Sequence, residues 1–280
     1  MCRVGETAAV ARAALHFDEE PCISGTGGAG TVFFSGCALR CIFCQNEKVS
    51  HGCFGLPVSE SRLLECFHRL IGQGAENIDL VTPSHHSLLL RKLLQNPLPV
   101  PVVWNSSGYE KAETLRKLEG CVQVYLPDLK YMDAESAGRY SGAPDYFRWA
   151  SGALLEMYRQ QPRVVLNGDG VMQRGLLVRH LILPGHAEES MRILDWIHGN
   201  LPGAWVSVMA QYTPFAQAAG CPPLDRRLTE EEYQRVVDHM LFLGIEDGYV
   251  QELSSSDEQY IPSFDLTGVR DLTGARDPAG

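Results

Sequence analysis

The chain has 280 residues, 45% of them hydrophobic, and a formal net charge of −10 at pH 7. This length and composition can bury one large core, and the acidic balance argues against nucleic acid as a partner, because phosphate binding needs a basic face. There is no run of 18 apolar residues and no signal-peptide core, so we expect no membrane span and, with nine cysteines, a cytoplasmic protein with free or metal-bound thiols.

Strand and helix patterns alternate along the chain. The first predicted strand is an apolar, β-branched and aromatic run at 31–34 with glycines before it. Later strands are predicted at 77–83, 100–104, 121–126, 176–183, 205–209 and 249–253. Helices are predicted at 59–71, 84–94, 110–118, 133–140, 145–160, 188–198 and 229–243. Ser59 is a candidate cap of the first helix, and Thr229 with Glu232 forms a capping box at the last. This alternation predicts parallel strands with right-handed crossovers, in about six units.

A group of three cysteines follows the first strand. Cys37, Cys41 and Cys44 have C-x3-C-x2-C spacing in a loop, which suits binding to one inorganic group better than disulfides between them. Short runs of thiolates hold iron–sulfur clusters. A structural zinc site with His51 or Cys53 as a fourth ligand is the alternative. A loop after a strand is also where α/β barrels place their active sites.

The cysteine triplet, with Phe43 before its last member and a strand before its first, resembles the signature of radical S-adenosylmethionine (SAM) enzymes. Residues 19–46, EEPCISGTGGAGTVFFSGCALRCIFCQN, resemble more narrowly the homologues of pyruvate formate-lyase activating enzyme, and the likeness extends over about 16–265. The resemblance implies an α/β fold, a partial (β/α)6 TIM-like barrel. We expect a lead-in segment at 1–22, the barrel at 23–265 and a tail at 266–280.

The same resemblance implies a chemistry. Cys37, Cys41 and Cys44 would bind a [4Fe-4S] cluster whose fourth iron binds SAM. Reductive cleavage of SAM would give a 5′-deoxyadenosyl radical that abstracts hydrogen from a substrate, and a glycyl-radical enzyme is one candidate for that substrate. The implied partners are a low-potential electron donor such as flavodoxin or ferredoxin and, if the substrate is a protein, a polypeptide loop bound in an open groove. The alternative function is a non-catalytic iron–sulfur or zinc-binding protein.

Polar residues just past the strands are the candidate SAM-binding residues, since in a parallel barrel they converge at one end. Lys130 or Arg179 can bind the SAM carboxylate, while Asp128 and Asn105 can accept from amino or hydroxyl groups. Arg179 lies inside an apolar strand, where a lone buried guanidinium is costly. The complete set is Phe43, Thr82, Pro83, Asn105, Ser106, Asp128, Lys130 and Arg179.

Three stretches are similar to the activating enzyme: 105–108 to its Asp-Thr-Asn-Gly, 128–130 to its Asp-Leu-Lys, and 178–185 to its Ile-Arg-Tyr-Val-Val-Val-Pro-Gly. By the resemblance, Phe43 packs near the adenine. Two departures stand out: Asn105 replaces a carboxylate, and Thr82-Pro83-Ser84 stands where many radical SAM enzymes have Gly-Gly-Glu. A surface ion pair is the alternative role for Asp128 and Lys130.

Overall fold

The computed structural model of the protein describes residue 5 and residues 7–253 and 263–273. Within these residues the chain forms one largely parallel sheet of ten strands. The strands are β1 Ala8–His16, β2 Ala29–Phe34, β3 Leu56–Val58, β4 Ile78–Val81, β5 Val102–Ser106, β6 Val124–Pro127, β7 Val165–Leu166, β8 Met172–Leu181, β9 Trp205–Met209 and β10 Gly248–Val250.

The sheet is open rather than closed. Its spatial order is β10-β9-β8-β6-β5-β4-β2-β1-β3, with β7 paired to β8, and the edge strands β10 and β3 are not joined. Along this order all neighbours from β2 to β10 are parallel, whereas β1 is antiparallel to both β2 and β3, and β7 is antiparallel to β8. Helices connect successive parallel strands, so the predicted partial barrel with six β/α crossovers is confirmed.

The helices begin and end close to the predicted positions. Ser59 Oγ accepts a hydrogen bond from the Arg62 amide, and the capping box of Thr229 and Glu232 is present, because in each case the side chain satisfies an amide of the first helical turn. The helices are α1 Pro21–Ser24, α2 Glu47–Ser50, α3 Glu60–Gly72, α4 Ser87–Leu93, α5 Ala112–Arg116, α6 Ala134–Ser141, α7 Tyr146–Gln160, α8 Ala187–Asn200, α9 Glu230–Phe242 and α10 Arg270–Thr273, with 3-10 turns at Ser84–His86 and Ala216–Gly220.

Several strand predictions need correction at their starts, and the strand predicted at 121–126 begins only at Val124. The predicted strand at 100–104 begins only at Val102, because Pro101 has no amide hydrogen to donate to a neighbouring strand. The predicted strand at 176–183 begins earlier, at Met172, because β7 pairs with it as an antiparallel hairpin across the turn at 167–170.

The segment at 1–22, expected to be a lead-in, contains a full strand of the sheet. β1 was not predicted, since its run of alanines lacks the alternation of large apolar and polar residues that marks a strand. Residues 263–273 lie beside β1 and α3: the Ala13 amide donates to the Thr267 carbonyl, and Arg69 donates to the Gly268 carbonyl. Positions 1–4 and 6 of the lead-in and 274–280 of the tail lie outside the described residues. The three-part division therefore stays a prediction.

The two faces of the sheet are covered differently. On one face, strand residues such as Phe34 and Trp104 pack with the helices in the main core. On the other face, the residues that alternate with them, such as Val103 and Leu177, form a smaller apolar cluster with Cys22 and Ile23 of α1. The polar strand residues described next share this second face. No helix in the described ranges is long and apolar enough to span a bilayer.

Candidate active site

The cysteine loop begins directly after β2, at the carboxyl end of the first parallel strand. Gly36 has a φ of 86°, and its amide donates to the Val49 carbonyl at 2.9 Å. This turn brings the loop back against α2. Cys41 is buried, and Cys37 and Cys44 are half-buried. The fold therefore gathers the three thiols at one end of the sheet, as the spacing predicts.

The thiols are held in conditions that disfavour their charged form. Burial, together with the neighbouring Cys41 and Cys44 thiols, raises the pKa of Cys37 to about 12. Burial and the Cys41 thiol raise the pKa of Cys44 to about 11, and burial raises that of Cys41. Three thiolates here would repel one another, and a cationic iron–sulfur core would offset that repulsion. The donor set fits a cluster with three protein ligands.

A site for a single metal ion is the alternative role of the same three thiols. Across residues 5, 7–253 and 263–273, no group of three or more His, Cys, Asp or Glu side chains is placed to hold a single ion. A structural zinc ion needs four ligands in a closed tetrahedron. The zinc site with His51 or Cys53 as its fourth ligand therefore stays a prediction.

A layer of charged side chains lies at the ends of β5, β6 and β8, and Arg179 is its centre. Its guanidinium donates from Nε to Asp128 Oδ1 at 3.0 Å, from Nη1 to Glu19 Oε2 at 3.0 Å and from Nη2 to Asn105 Oδ1 at 2.6 Å. The ion-pair contacts with Asp128 and Glu19 raise the pKa of Arg179 despite its burial. Arg179 is therefore paired on three sides, as the cost of burying a lone guanidinium requires.

Lys130 connects this layer to the cysteine loop. Its Nζ lies 2.6 Å from Asp128 Oδ2, and the side chain is 18% exposed. Burial lowers its pKa, but attraction to Asp128 and to the Cys41 thiol outweighs burial, so the pKa of Lys130 is raised. The ammonium group is consequently charged at neutral pH. The alternative of a surface ion pair does not describe Asp128 and Lys130, whose side chains are only 16% and 18% exposed.

Three acidic residues of the layer were not among the sequence predictions. Glu19 accepts from Arg179 and from Asn105 Nδ2, and Glu20 accepts from the Ser207 hydroxyl at 2.8 Å. Asp79, fully buried in β4, accepts from Asn105 at 3.4 Å. A sequence signal existed for Asp79, because a carboxyl group in the middle of an apolar strand is as costly as a buried arginine. Burial, with repulsion from Glu19, raises the pKa of Asp79 well above its usual value.

The other predicted SAM-binding residues lie around the layer. Thr82 has a left-handed φ of 57°, which is rare for a β-branched residue, and its amide donates to the Asn105 carbonyl at 2.8 Å. Pro83 is buried beside it. Phe43 is buried with its ring against Tyr212, centroids 5.9 Å apart. These positions border the site, and their contacts with SAM stay predictions.

Ser106 differs from the other predicted residues in where its side chain is held. It follows Asn105 in β5, and its hydroxyl donates to Glu110 Oε2 at 2.7 Å. Glu110 also accepts from the Trp104 indole. Because neighbouring strand residues point to opposite faces, Ser106 supports the loop after β5 rather than joining the charged layer. Since the hydroxyl proton is used by Glu110, a hydrogen bond donated by Ser106 to SAM would require the hydroxyl to leave Glu110.

The chain is similar to known proteins in sequence and in fold. No family model matches the chain. An uncharacterized protein of Methanocaldococcus jannaschii is 30% identical over 235 residues, 80% of this chain, and the chain spans 64% of that relative's length. A cysteine-to-serine mutant of spore photoproduct lyase superposes over 86% of this chain and 80% of its own, with a TM-score of 0.54 and 14% identity.

A second solved structure has the same architecture. Streptococcus suis SuiB bound to its precursor peptide SuiA matches over 85% of this chain and 52% of its own, with a TM-score of 0.51 and 9% identity. Both structural neighbours are radical SAM enzymes with partial TIM barrels. Sequence identities this low support a shared architecture and nothing more. The chain therefore has the open partial-barrel fold of radical SAM enzymes.

Proposed function

We propose that this protein is a radical SAM enzyme. The observation that carries the proposal is the position of the three thiols of the C-x3-C-x2-C loop, one buried and two half-buried, beside a paired Asp128–Lys130–Arg179 layer, at the carboxyl ends of parallel strands. Active sites of parallel barrels lie at this end. The fold, the donor set and the charges thus support the same function.

The chain's residues divide into two binding roles. Cys37, Cys41 and Cys44 hold a [4Fe-4S] cluster, and Lys130, charged and 18% exposed, meets the SAM carboxylate. Asp128 and Asn105 are held in position by Arg179 and present acceptor atoms to amino or hydroxyl groups. When bound, the cluster supplies the electron for reductive cleavage of SAM, whose 5′-deoxyadenosyl part then takes hydrogen from the substrate. The protein supplies orientation and excludes water.

The function is tested by SAM cleavage. The protein is reconstituted anaerobically with iron and sulfide, reduced with dithionite in place of the proposed flavodoxin or ferredoxin donor, and assayed with SAM for 5′-deoxyadenosine. We expect product from the wild-type protein and none from Cys41→Ala. The control is Cys121→Ala, since Cys121 lies before β6, away from the loop. A reconstituted cluster that never cleaves SAM would support the non-catalytic alternative and overturn the proposal.

The narrower proposal is a protein substrate, with the glycine of a glycyl-radical enzyme as the hydrogen donor. Its support is the likeness of residues 19–46 to activating-enzyme homologues and the open sheet, whose edges β3 and β10 are not joined. SuiB, which shares the fold, was solved with a precursor peptide bound. Pyruvate formate-lyase is the probe: a glycyl-radical signal in electron paramagnetic resonance supports activation, and SAM cleavage without that signal contradicts it for this partner.

A further inference from the structure

The carboxyl-terminal end of α6 holds the cysteine loop on both sides of Cys41. The Arg40 amide donates to the Ser141 carbonyl at 3.0 Å, and the Ile42 amide donates to the Tyr140 carbonyl at 2.9 Å. These carbonyls belong to the last turn of the helix, whose carbonyls have no partner within the helix. The backbone around Cys41 is thus fixed by a separate element about 100 positions along the chain.

A side-chain hydrogen bond from the same helix end reaches the sulfur itself. Ser141 Oγ donates to Cys41 Sγ at 3.0 Å, and the Tyr131 hydroxyl lies 2.8 Å from Ser141 Oγ. Since the serine proton is directed to sulfur, the tyrosine is the donor to Ser141. Tyr131, Ser141 and Cys41 are 0%, 1% and 8% exposed, so water does not compete for these bonds.

We propose that Ser141 is a positioning residue that orients Cys41 and raises the reduction potential of the cluster bound by it, with Tyr131 orienting the serine hydroxyl. This inference rests on the proposed function. A hydrogen bond to a ligating thiolate favours the reduced cluster, because reduction adds negative charge that the donor stabilises. The bond is made in a buried site, where electrostatic interactions are strongest.

The test is a redox titration of reconstituted protein followed by electron paramagnetic resonance, with iron and sulfide content measured in parallel. For Ser141→Ala we expect unchanged iron content and a reduced-to-oxidised ratio about tenfold lower at a fixed solution potential, equal to a downward shift of about 59 mV for one electron. Tyr131→Phe should shift the ratio in the same direction by less, because the serine hydroxyl remains.

The control is Ser151→Ala on α7, where the hydroxyl donates to the Arg148 carbonyl of its own helix, and its titration should match the wild type. A Ser141→Ala protein with wild-type iron content and wild-type potential overturns the inference. If that variant does not hold a cluster, Tyr131→Phe decides: a wild-type potential there overturns the inference, and a lowered one supports it. Failure of the wild-type protein to bind iron and sulfide is a different result, which removes the proposed function itself.

Discussion

The cysteine loop and the charged layer lie at the same end of the sheet, but they are stabilised in opposite ways. The loop holds three thiols whose charged forms are disfavoured by burial and by one another. In the layer, each charge of Arg179, Asp128 and Lys130 is paired with an opposite charge without any ligand. The proposed cluster would offset the repulsion between the thiolates of the loop, whereas the charges of the layer are already paired as folded.

This difference predicts that a cysteine variant loses the cluster but keeps the fold. For Cys37→Ala we expect iron–sulfur content to fall at least about 100-fold, because loss of outer partners alone already costs 10- to 100-fold in metal affinity. The stability of the protein without cluster should fall by only about 1 kcal/mol, since a small, half-buried side chain is shortened. Iron analysis and urea unfolding measure the two effects. A large loss of apo-protein stability would contradict the comparison.

For a variant of the charged layer we expect a large loss of stability even without the cluster. We expect Arg179→Met to destabilise the protein without cluster by about 3–5 kcal/mol, because it leaves Asp128 and Glu19 buried with a cation removed. The matched control is Arg159→Met: Arg159 also pairs with two carboxylates but is 51% exposed, so its loss should destabilise the protein much less, because water screens exposed ion pairs. Urea unfolding measures the loss of stability in both variants. Equal losses would show that burial does not determine how strongly the ion pairs of the layer stabilise the protein.

A glycine beside the layer gives a smaller effect. Gly108 has a φ of 73°, and a Cβ there would lie 2.5 Å from the Asp128 carbonyl oxygen. We expect Gly108→Ala to cost about 2–3 kcal/mol, from the left-handed conformation and from displacement of the Asp128 backbone. Gly120→Ala is the control, since Gly120 has a φ of 84° with nothing within 4 Å and should cost about 1 kcal/mol. Thermal unfolding measures both, and a Gly108 cost no greater than that of Gly120 would show that the close approach is harmless.

A titrating group outside both regions gives the smallest effect. Burial, with repulsion from His85, lowers the pKa of His86 from 6.5 to about 4. The unfolded chain therefore binds more protons between these values, so stability falls as pH drops from about 6.5 towards 4 and is fully present above 6.5. At pH 5 the loss should be about 1–2 kcal/mol after allowance for solvent screening.

The pH dependence is checked by urea unfolding at pH 7.5 and pH 5. His86→Leu should lose this part of the pH dependence, because the leucine does not titrate, whereas His68→Leu at an exposed position of α3 should retain it. A His86→Leu protein with the wild-type difference between the two pH values would show that another group is responsible.

Local patterns determined a large part of this protein. The spacing of Cys37, Cys41 and Cys44 identified the loop because three ligands for one group can be close in sequence. The caps at Ser59 and Thr229 were visible for the same reason, since a cap and its amide are three residues apart. The alternation of strands and helices also predicted the parallel sheet and its crossovers, because each strand and each helix needs its own local pattern.

Tertiary structure decided which distant residues meet. Glu19 and Arg179 are 160 positions apart, and Ser141 and Cys41 are 100 apart, so no local spacing marks either contact. The alanine-rich β1 became a strand because β2 and β3 supply its hydrogen-bond partners, whatever its own propensity. The sequence by itself determined where the cysteines lie along the chain, and only long-range packing decided which charges and hydroxyls surround them.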